Sequence, residues 1–341
     1  MRLVQIRNGT ERRVALVDEP NLRCLAGVKS IYELAQCCLE RVESITRKAE
    51  EFATGETLTY DDVYRGNSAW RLLAPIDVPS SPSRVFVSGT GLTHLGSAQQ
   101  RQAMHLIDQK AATSNNDDAM LTDSMKMFHW GVKRGRPADG EIGIAPEWFY
   151  KGDGSSIRAH LEALDIPAYA EDGGEEAELA GVYLVSGSGV PFRLGMVQGN
   201  EFSDHAFERR NYLNLAGSKL RDCSIGPELV LEPEFKDVKG EVRIERDGRT
   251  LWKKSIASGE DNMCHSLTNL EHHHFKFAGH RQPGTLHIHF FGADTLSFSE
   301  GIALQGGDIA EIKFEGFGRS LRNPIYQENK QAVPIRVCVL K

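Results

Sequence analysis

The sequence has no run of apolar residues approaching the roughly 18 residues that a membrane-spanning helix needs. Its opening residues, Met-Arg-Leu-Val-Gln-Ile-Arg, turn polar at once and do not resemble a secretory signal. None of the six cysteines belongs to a Cys-x-x-Cys pair, so a disulfide-linked extracellular fold is not expected. These absences predict a soluble cytoplasmic protein with reduced thiols and no membrane partner.

The chain also lacks a surplus of basic residues. It has 40 Lys and Arg against 47 Asp and Glu, a net charge of −7 and an isoelectric point near 6.0. Because proteins that bind phosphate backbones usually carry excess positive charge, we expect no nucleic-acid partner. With 40% hydrophobic and 26% charged residues, the 341-residue chain has a globular composition, and a metabolic enzyme is the expected class.

One segment near the start of the chain has a clear helical pattern. Ser30 and Glu33 form a capping box, and apolar residues then recur at helical spacing as far as Phe52. Prolines and serines between residues 75 and 83 interrupt regular structure. We therefore predict a small α/β domain over residues 1–80.

The remainder of the chain, residues 81–341, has a different pattern. A helix is predicted over Gln99–Lys110, and the polar residues 111–140 are expected to form either a lid or a solvated loop. From residue 142 onward, short strands alternate with turns, which is typical of a rolled or barrel-like sheet. The predicted fold class is α+β, with a mostly β second domain.

An acidic pair opens one of the predicted strands. Glu176 and Glu178 are two residues apart, and side chains at that spacing on a strand project from the same face. Two neighbouring carboxylates repel unless one takes up a proton or a cation lies between them. Oxygen ligands suit Mg²⁺, Mn²⁺ or Ca²⁺, although acidic pairs are also common at exposed strand starts.

A third carboxylate follows in a second strand-to-turn stretch. Residues 195–205 supply Glu201 and Asp204, and pairing of the two strands would bring either one against the acidic pair. Three carboxylates with room left for water and substrate are typical of a catalytic Mg²⁺ site.

Several motifs now occur in a recognisable order, and together they resemble the fumarylacetoacetate hydrolase superfamily over residues 85–326. The C-terminal part of the match has a Gly-Gly-Asp turn and a strand that ends in Leu-Arg-Asn-Pro. The matching segments are Gly89-Thr90-Gly91-Leu92-Thr93-His94, Pro146-Glu147-Trp148-Phe149-Tyr150-Lys151, Glu176-Ala177-Glu178, Asn200-Glu201-Phe202-Ser203, Lys219, Ile225-Gly226-Pro227, Gly284-Thr285, Gly306-Gly307-Asp308 and Leu321-Arg322-Asn323-Pro324.

The resemblance implies a β-roll catalytic domain that holds one Mg²⁺ or Mn²⁺ and acts on a small 2-oxo acid. It makes Glu176 and Glu178 the metal pair, with Glu201 at the position where the family usually has Asp. Asp204 is the alternative third ligand. The family usually forms homodimers, so a homodimer is expected. The residues implied to bind substrate or to line its pocket are Lys151, Ser155, His205, Arg209 and Lys219.

The chain departs from the family pattern around its reacting groups. The family's hydrolases pair a lid His with a Glu three residues later, but His94 is followed there by Ser97. His205 replaces an expected Arg, and Glu208 replaces an expected Gln. The usual Thr-Gly-Thr contact for the substrate carboxylate is replaced by residues 291–293, which leaves that contact open among Arg209, Asp294 and Thr295.

These departures favour a lyase over a hydrolase. The long form resembles the branch associated with bacterial L-arabinose and sugar-acid catabolism, which implies a dehydratase of a 2-keto-3-deoxy sugar acid. Lys151 is the first candidate for the base, and His94 or Glu208 for the acid that helps the hydroxyl depart. A carbon–carbon hydrolase of a 2,4-diketo acid and a non-catalytic sugar-acid-binding protein remain the alternatives.

Two other features of the sequence give weaker indications of a chemical role. Ser155 and Ser156 have no Ser-His-Asp order around them, so turn capping is the alternative to substrate binding. A group of histidines in the last third of the chain lacks ligand spacing for zinc, and a polar patch or subunit contact is expected instead. These histidines are His272, His273, His274, His280, His287 and His289.

Overall fold

The computed structural model describes residues 1–112 and 122–340, with side chains described outside residues 104–112. The predicted excursion over residues 111–140 therefore lies partly outside the described residues, and its described part contains a helix over Asp123–Arg134. The helices are α1 (Ile31–Arg41), α2 (Ile45–Phe52), α3 (Tyr60–Tyr64), α4 (Leu95–Ala112), α5 (Asp123–Arg134), α6 (His205–Arg210), α7 (Leu215–Lys219) and α8 (Leu267–Phe275). Short 3₁₀ turns occupy Pro82–Arg84, Gly154–Ser156, Tyr212–Asn214, Glu260–Asn262, Ala278–Arg281 and Ser297–Glu300.

Strands are more numerous than helices in the described parts of the chain. They are β1 (Arg2–Asn8), β2 (Glu11–Asp18), β3 (Asn21–Leu25), β4 (Ala53–Thr59), β5 (Arg71–Leu72), β6 (Val85–Gly89), β7 (Phe149–Asp153), β8 (Ile157–Arg158), β9 (Leu164–Ile166), β10 (Ala177–Val185), β11 (Pro191–Asn200), β12 (Cys223–Ile225), β13 (Leu229–Val230), β14 (Val238–Arg246), β15 (Arg249–Ser258), β16 (Leu286–Phe290), β17 (Ile309–Phe314) and β18 (Leu321–Gln327).

The predicted helix over residues 31–52 is two helices in the structure. Ser30 caps α1 as expected, but Val42 adopts a left-handed conformation (φ 56°) and ends the helix. Ser44 then accepts a hydrogen bond from Arg47 N and begins α2. Apolar spacing continued across the break because both helices pack on the same core. The helix predicted over Gln99–Lys110 is confirmed within α4.

Two sheets organise the fold. The larger has thirteen strands, with the path β4-β3-β2-β1-β13-β11-β10-β16-β6-β7, and the smaller has the order β15-β14-β17-β18-β9. This mixture of large sheets and separate helices confirms the α+β class.

The strands from the first 80 residues belong to the larger sheet. β1 pairs antiparallel with β13, with Leu3 opposite Leu229. Leu3 and Ile31 also lie in the same buried cluster as Leu286 and Ile288 of β16. The boundary near residue 80 stays a prediction, and across it the chain shares one sheet and one core.

β10 is buried along its whole length between two hydrophobic cores. Ala180, Val182 and Leu184 face the first core, while Ala177 and Leu179 face the second, which also packs against the smaller sheet. Side chains alternate between the two faces of a strand, so both faces of β10 are covered. A charged residue at the start of this strand is therefore removed from solvent.

None of the helices in the described ranges has the length and apolar character needed to cross a bilayer. All six cysteines are free thiols, in agreement with the expected lack of disulfides.

Candidate metal centre

The acidic residues come together at the end of the β10–β11 hairpin. The two strands pair antiparallel, and the backbone N–H of Glu201 donates to the carbonyl of Glu176 at 3.0 Å just beyond the ladder. The side-chain oxygen of Asn200 accepts a hydrogen bond from the backbone N–H of Glu176, also at 3.0 Å. Both strand ends are thereby fixed, and the carboxylates project from a rigid backbone.

Glu176, Glu178 and Glu201 form a buried acidic triad. Each offers a carboxylate oxygen, and these atoms all lie within 4.8 Å of one another. Among the side chains of residues 1–103 and 122–340, this is the group of His, Cys, Asp or Glu residues that could hold a metal ion. The convergence that the sequence predicted is thus present, with a donor set suited to a hard divalent cation.

Asp204, the alternative third ligand, has a different environment. Its carboxylate accepts hydrogen bonds from the backbone N–H groups of Phe207 (2.9 Å) and Glu171 (3.0 Å), and pairs with Arg221 at 3.1 Å. These contacts make it the cap of α6, where Asp stabilises a helix start. It is not part of the triad.

Two buried lysines neutralise part of the triad's charge. Lys219 donates to both Glu176 and Glu201, and Lys151 Nζ lies 3.0 Å from Glu201 Oε1 while donating to the carbonyl of Phe202. Burial lowers the pKa of Lys219, but the two carboxylates outweigh burial and raise that pKa overall. For Lys151 burial prevails over Glu201, and its pKa lies below the ordinary value.

Glu178 is the member of the triad without an ion-pair partner among the described residues. Its Oε2 accepts a hydrogen bond of 2.7 Å from the backbone N–H of Gly292. Burial, followed by the charges of Glu176 and Glu201, holds its pKa well above the usual range for a carboxyl. A cation at the triad would relieve both effects, so the residues present fit a divalent metal ion.

α6 carries two side chains towards the triad. His205 Nε2 lies 3.0 Å from Glu176 Oε1, and its ring packs against Gly174, where an added Cβ would come within 2.1 Å of it. Burial lowers the pKa of His205, but the hydrogen bond to Glu176 and the nearby carboxylates raise it overall. Glu208, one turn further, lies 3.1 Å from Arg101 Nε.

Arg101 is a buried residue that sequence reasoning missed. Its Nη1 donates to both oxygens of Glu147 at 2.8 and 3.1 Å, and Tyr212 donates to Glu147 at 2.7 Å. Together with Glu208, it forms a network beside the triad, close enough for the charge of Glu176 to act on the guanidinium. The sequence does contain one indication of where Arg101 lies, because positions 94, 98 and 101 have the spacing of residues that share one face of a helix.

His94 is buried next to the triad's supporting loop. The hydroxyl of Thr93 donates to the carbonyl of Phe291 at 2.6 Å, and lies 2.9 Å from His94 Nδ1. A hydroxyl has one proton, so Nδ1 must be the donor and Nε2 carries a lone pair. That Nε2 has no hydrogen-bond partner among the described residues. Burial lowers the pKa of His94 to about 4, and the ring is neutral near pH 7.

The loop that supports His94 also supports Glu178. Gly292 has φ 98° and donates to Glu178, and an added Cβ there would come within 2.1 Å of Thr93 Oγ1. Thr93 and Glu178 are thus both held by the turn after β16.

Two residues predicted to bind substrate are not brought to the triad. Ser155 is exposed, and its N–H and hydroxyl both donate to Asp153 Oδ1, at 2.8 and 2.6 Å. These bonds are the turn capping that the sequence allowed as an alternative. Arg209 is exposed, with its guanidinium 5.4 Å from the ring centre of Phe298.

The other candidates for the substrate-carboxylate contact are engaged elsewhere. Asp294 accepts a hydrogen bond from the backbone N–H of Ala257 at 3.1 Å. Thr295 Oγ1 accepts one from Gln100 at 2.9 Å. The buried cations that contact the triad are Lys151 and Lys219.

Two buried histidines of the last third, His274 and His287, belong to a hydrogen-bonded series. Trp148 can only donate, so His274 Nδ1 accepts from it at 3.2 Å and His274 Nε2 donates to His287 Nδ1 at 3.0 Å. His287 Nε2 then donates to Thr285 Oγ1 at 3.2 Å, and that hydroxyl donates to the carbonyl of Gln282. The series ends on a backbone oxygen, as expected of a structural polar cluster.

Comparison with known proteins rests on structure. No family model and no curated protein sequence matches the chain. A solved 2-keto-3-deoxy-D-arabinonate dehydratase matches with a TM-score of 0.69 and 19% identity, over 97% of this chain and 100% of that one. The same values hold for that enzyme complexed with magnesium and 2,5-dioxopentanoate.

Isomerases share the fold as well. A 2-hydroxyhepta-2,4-diene-1,7-dioate isomerase from Mycobacterium marinum matches with a TM-score of 0.58 and 18% identity, over 97% of this chain and 100% of that one. A 5-carboxymethyl-2-hydroxymuconate delta-isomerase from Mycobacterium smegmatis gives 0.57 and 18%, over 96% and 100%. The chain has the fold predicted from its resemblance to the fumarylacetoacetate hydrolase superfamily.

Proposed function

We propose that this protein is a divalent-metal-dependent dehydratase of a 2-keto-3-deoxy sugar acid, such as 2-keto-3-deoxy-L-arabinonate. The observation that carries the proposal is the buried triad of Glu176, Glu178 and Glu201 beside two buried lysines. The shared fold with a dehydratase that has been solved with magnesium supports the same reading.

The metal ion is Mg²⁺ in this proposal, with Mn²⁺ or Ca²⁺ as alternatives, and the triad holds it. When bound, such an ion supplies Lewis-acid stabilisation of the negative charge that develops at the C2 oxygen as a proton leaves C3. Lys219, which donates to Glu176 and Glu201, orients those two carboxylates and adds positive charge beside them.

Two side chains can accept the C3 proton. Lys151 is the first candidate, because burial lowers its pKa and so favours the neutral amine that a base requires. His94 is the second, because its Nε2 already carries an unshared lone pair. The hydroxyl at C4 then needs a proton donor. A neutral His94 has no proton on Nε2 to donate. The donor is therefore Glu208 or the side chain that accepted the C3 proton.

The substrate's polar groups also need partners. His205, buried against Glu176 at 3.0 Å, is a substrate-binding residue in this proposal. Ser155 and Arg209 stay in the proposal as residues that could approach substrate only after movement from their present contacts. The cytoplasmic location and the homodimer are part of the same proposal.

Hydrolysis of a 2,4-diketo acid is less well supported. A water-activating dyad needs a carboxylate on the imidazole, whereas His94 Nδ1 is bonded to Thr93. Glu147, a possible substitute for the missing family Glu, is bonded to Arg101 and Tyr212 instead. Dehydration requires no activated water and is compatible with both observations.

The decisive experiment is an assay of the purified protein with Mg²⁺, using 2-keto-3-deoxy-L-arabinonate and acetylpyruvate in parallel. Glu178→Ala should abolish turnover and metal binding. Glu175→Gln is the matched control, because Glu175 is an adjacent buried carboxylate that bonds Ser297 rather than the triad.

Each outcome has a distinct meaning. Metal-dependent loss of the keto-deoxy acid, absent in Glu178→Ala and retained in Glu175→Gln, supports the dehydratase. Cleavage of acetylpyruvate alone favours the hydrolase. Metal binding without turnover of either compound contradicts the substrate, and the absence of both favours a non-catalytic sugar-acid-binding protein.

A further inference from the structure

Three arginines lie in one row across the neighbouring strands β2, β1 and β5. Arg7 of β1 is directly opposite Arg12 of β2 on one side and Arg71 of β5 on the other. Residues that are directly opposite on neighbouring strands project from the same face of a sheet, with Cβ atoms about 4.5–5.5 Å apart. Three positive charges are therefore held close together on one face.

Among the described residues, one arginine of this row has a carboxylate partner. Arg12 Nη2 donates to both oxygens of Asp77, at 2.6 and 2.8 Å. Arg7 has no such partner, and Arg71 donates to the backbone carbonyl of Trp70 at 3.2 Å. Like charges directly opposite each other on neighbouring strands destabilise a sheet. In the part of the chain that the structure describes, Arg7 and Arg71 thus form a pair of like charges without a counter-charge.

A cavity of about 240 Å³ is lined by both of these arginines. Its other polar side chains are His160 and Glu162, and the rest of its lining is apolar or glycine. The volume is smaller than the roughly 300–1,000 Å³ of sites for drug-sized ligands. The cavity therefore suits a small ion or the charged end of a metabolite.

The two other polar side chains of the cavity are engaged in local hydrogen bonds. His160 Nε2 donates to the carbonyl of Tyr64 at 3.1 Å, and its Nδ1 accepts from the backbone N–H of Arg322 at 3.2 Å, so the ring is neutral. Glu162 Oε2 accepts from the backbone N–H of Ala159 at 2.8 Å. The lining thus has two positive charges and one negative charge, a positive surplus in a chain whose net charge is −7.

We propose that Arg7 and Arg71 bind a phosphate group, either free phosphate or the phosphate of a small metabolite, beside this cavity. Each guanidinium is a planar fork that can donate two parallel hydrogen bonds to two oxygens of one anion. A carboxylate has two oxygens, which a single fork uses, whereas a phosphate has enough oxygens to accept from both arginines. Its charge of about −1.5 to −2 near pH 7 would also compensate the two positive charges.

The proposed phosphate site is separate from the acidic triad. In the order of the larger sheet, β13 lies between β1, which carries Arg7, and β11. No residue of the triad lines the cavity. The phosphate site is therefore independent of the proposed dehydratase activity, and each proposal can fail without the other.

The first test is titration calorimetry of the full chain with inorganic phosphate, glycerol 3-phosphate and acetate at constant ionic strength. EDTA is present, so that phosphate cannot bind through a metal ion at the triad. Arg7→Gln and Arg71→Gln should each weaken phosphate binding by about tenfold or more. Arg71→Lys keeps the charge without the fork and should weaken it as well. The matched control is Arg281→Gln, which changes an exposed arginine outside the cavity and should leave binding unchanged.

The three anions identify the ligand. Tighter binding of glycerol 3-phosphate than of inorganic phosphate supports the phosphate of a metabolite, and the reverse order supports free phosphate. Both results support the proposal. It is overturned if neither phosphate binds at millimolar concentration, if acetate binds equally well, or if both arginine substitutions leave binding unchanged.

Thermal unfolding tests the like-charge pair separately. Without phosphate, Arg71→Gln should unfold at a midpoint equal to or above that of wild type, because it removes the charge opposite Arg7. Added phosphate should raise the midpoint of wild type and of Arg281→Gln by more than that of Arg71→Gln, since only the first two keep the site. A lower midpoint for Arg71→Gln without phosphate, or equal phosphate shifts in all three proteins, would contradict the proposal.

Discussion

The carboxylate of Glu178 is held by the backbone N–H of Gly292, at 2.7 Å, and by no cationic side chain among the described residues. Its two neighbours in the triad are paired with lysines, so Glu178 bears the unbalanced charge of the cluster. Because burial and the other two carboxylates raise its pKa, this residue connects metal binding, protonation and stability at the site.

Glu178→Gln is therefore expected to stabilise the metal-free protein and to destroy the metal site. The amide keeps the size and the hydrogen bond to Gly292 but removes a buried acid whose ionised form is disfavoured by burial and by Glu176 and Glu201. Thermal unfolding with EDTA should show a higher midpoint than wild type, while titration calorimetry should show lost Mg²⁺ binding. The control Glu175→Gln should retain Mg²⁺ binding. A lower midpoint for Glu178→Gln in EDTA would contradict the assigned repulsion.

His94→Asn tests the free lone pair. If Nε2 accepts a proton during turnover, kcat should fall by about 10²–10⁴-fold while Mg²⁺ affinity stays unchanged. Because the pKa of His94 is lowered to about 4, the ring gains a proton only as pH falls through that value. Wild-type activity should show no loss near pH 6.5 that is attributable to this residue. If wild-type activity is instead lost completely as the pH falls through about 6.5, a group other than His94 accepts the proton.

Thr93→Val is the companion variant. It removes the acceptor of the Nδ1 proton and frees the imidazole to adopt the other tautomer, so a smaller loss of kcat is expected. If Thr93→Val and His94→Asn leave activity equal to wild type, Lys151 becomes the remaining candidate base, and Lys151→Met should then be inactive.

Much of the triad could be predicted from the sequence because it depends on local rules. Glu176 immediately precedes β10, Glu178 lies within it and Glu201 immediately follows β11, so their convergence requires only that β10 and β11 pair. The choice between Glu201 and Asp204 could not be made locally. It depends on the start of α6, where Asp204 is used as the helix cap.

Residues that reach the site from distant elements were harder to predict. Arg101 belongs to a helix in the polar part of the sequence. Only the packing of α4 against α6 gives it Glu208 as a partner, and its contact with the residues before β7 gives it Glu147. Ser155 and Arg209 show the limit of sequence proximity, because their closeness in the chain to Lys151 and Glu208 does not place them beside the triad, and their role in binding substrate stays a prediction. The break at Val42 was missed because the apolar spacing continues into α2.

Lys219→Met should destabilise the protein in a metal-dependent way. Lys219 is fully buried between Glu176 and Glu201, and removing one partner of a buried ion pair costs about 3–5 kcal/mol because the remaining charges are uncompensated. Bound Mg²⁺ would offset part of that charge, so the midpoint should rise more on adding Mg²⁺ than it does for wild type. Lys254→Met, which removes an exposed pair with Glu300, should cost no more than about 1 kcal/mol and show no extra Mg²⁺ effect. An equal Mg²⁺ shift in wild type and Lys219→Met would argue against a cation at the triad.

The buried histidines should make the protein sensitive to mild acid. Burial, reinforced by neighbouring histidines, lowers the pKa values of His287 and His289 to about 3, whereas an unfolded chain has about 6.5. Between pH 6.5 and 3 the unfolded state therefore binds more protons, and stability falls as pH decreases by up to about 1.4 kcal/mol per pH unit for each histidine. Glu178 acts in the opposite direction, since its raised pKa lets the native state bind a proton first as pH falls.

Replacing one histidine measures how much that residue contributes to the dependence of stability on pH. His289 donates to or accepts from Ser88 at 2.8 Å and is fully buried, and His289→Gln keeps a polar group without a titrating one. Denaturant unfolding at pH 7, 6 and 5 should show that the free energy of unfolding falls less steeply with decreasing pH for His289→Gln than for wild type. Between pH 6 and 5, the difference between the two slopes should correspond to close to one bound proton. If His289→Gln and wild type lose stability in parallel, His289 is protonated in the folded protein and the neutral arrangement of the cluster is wrong.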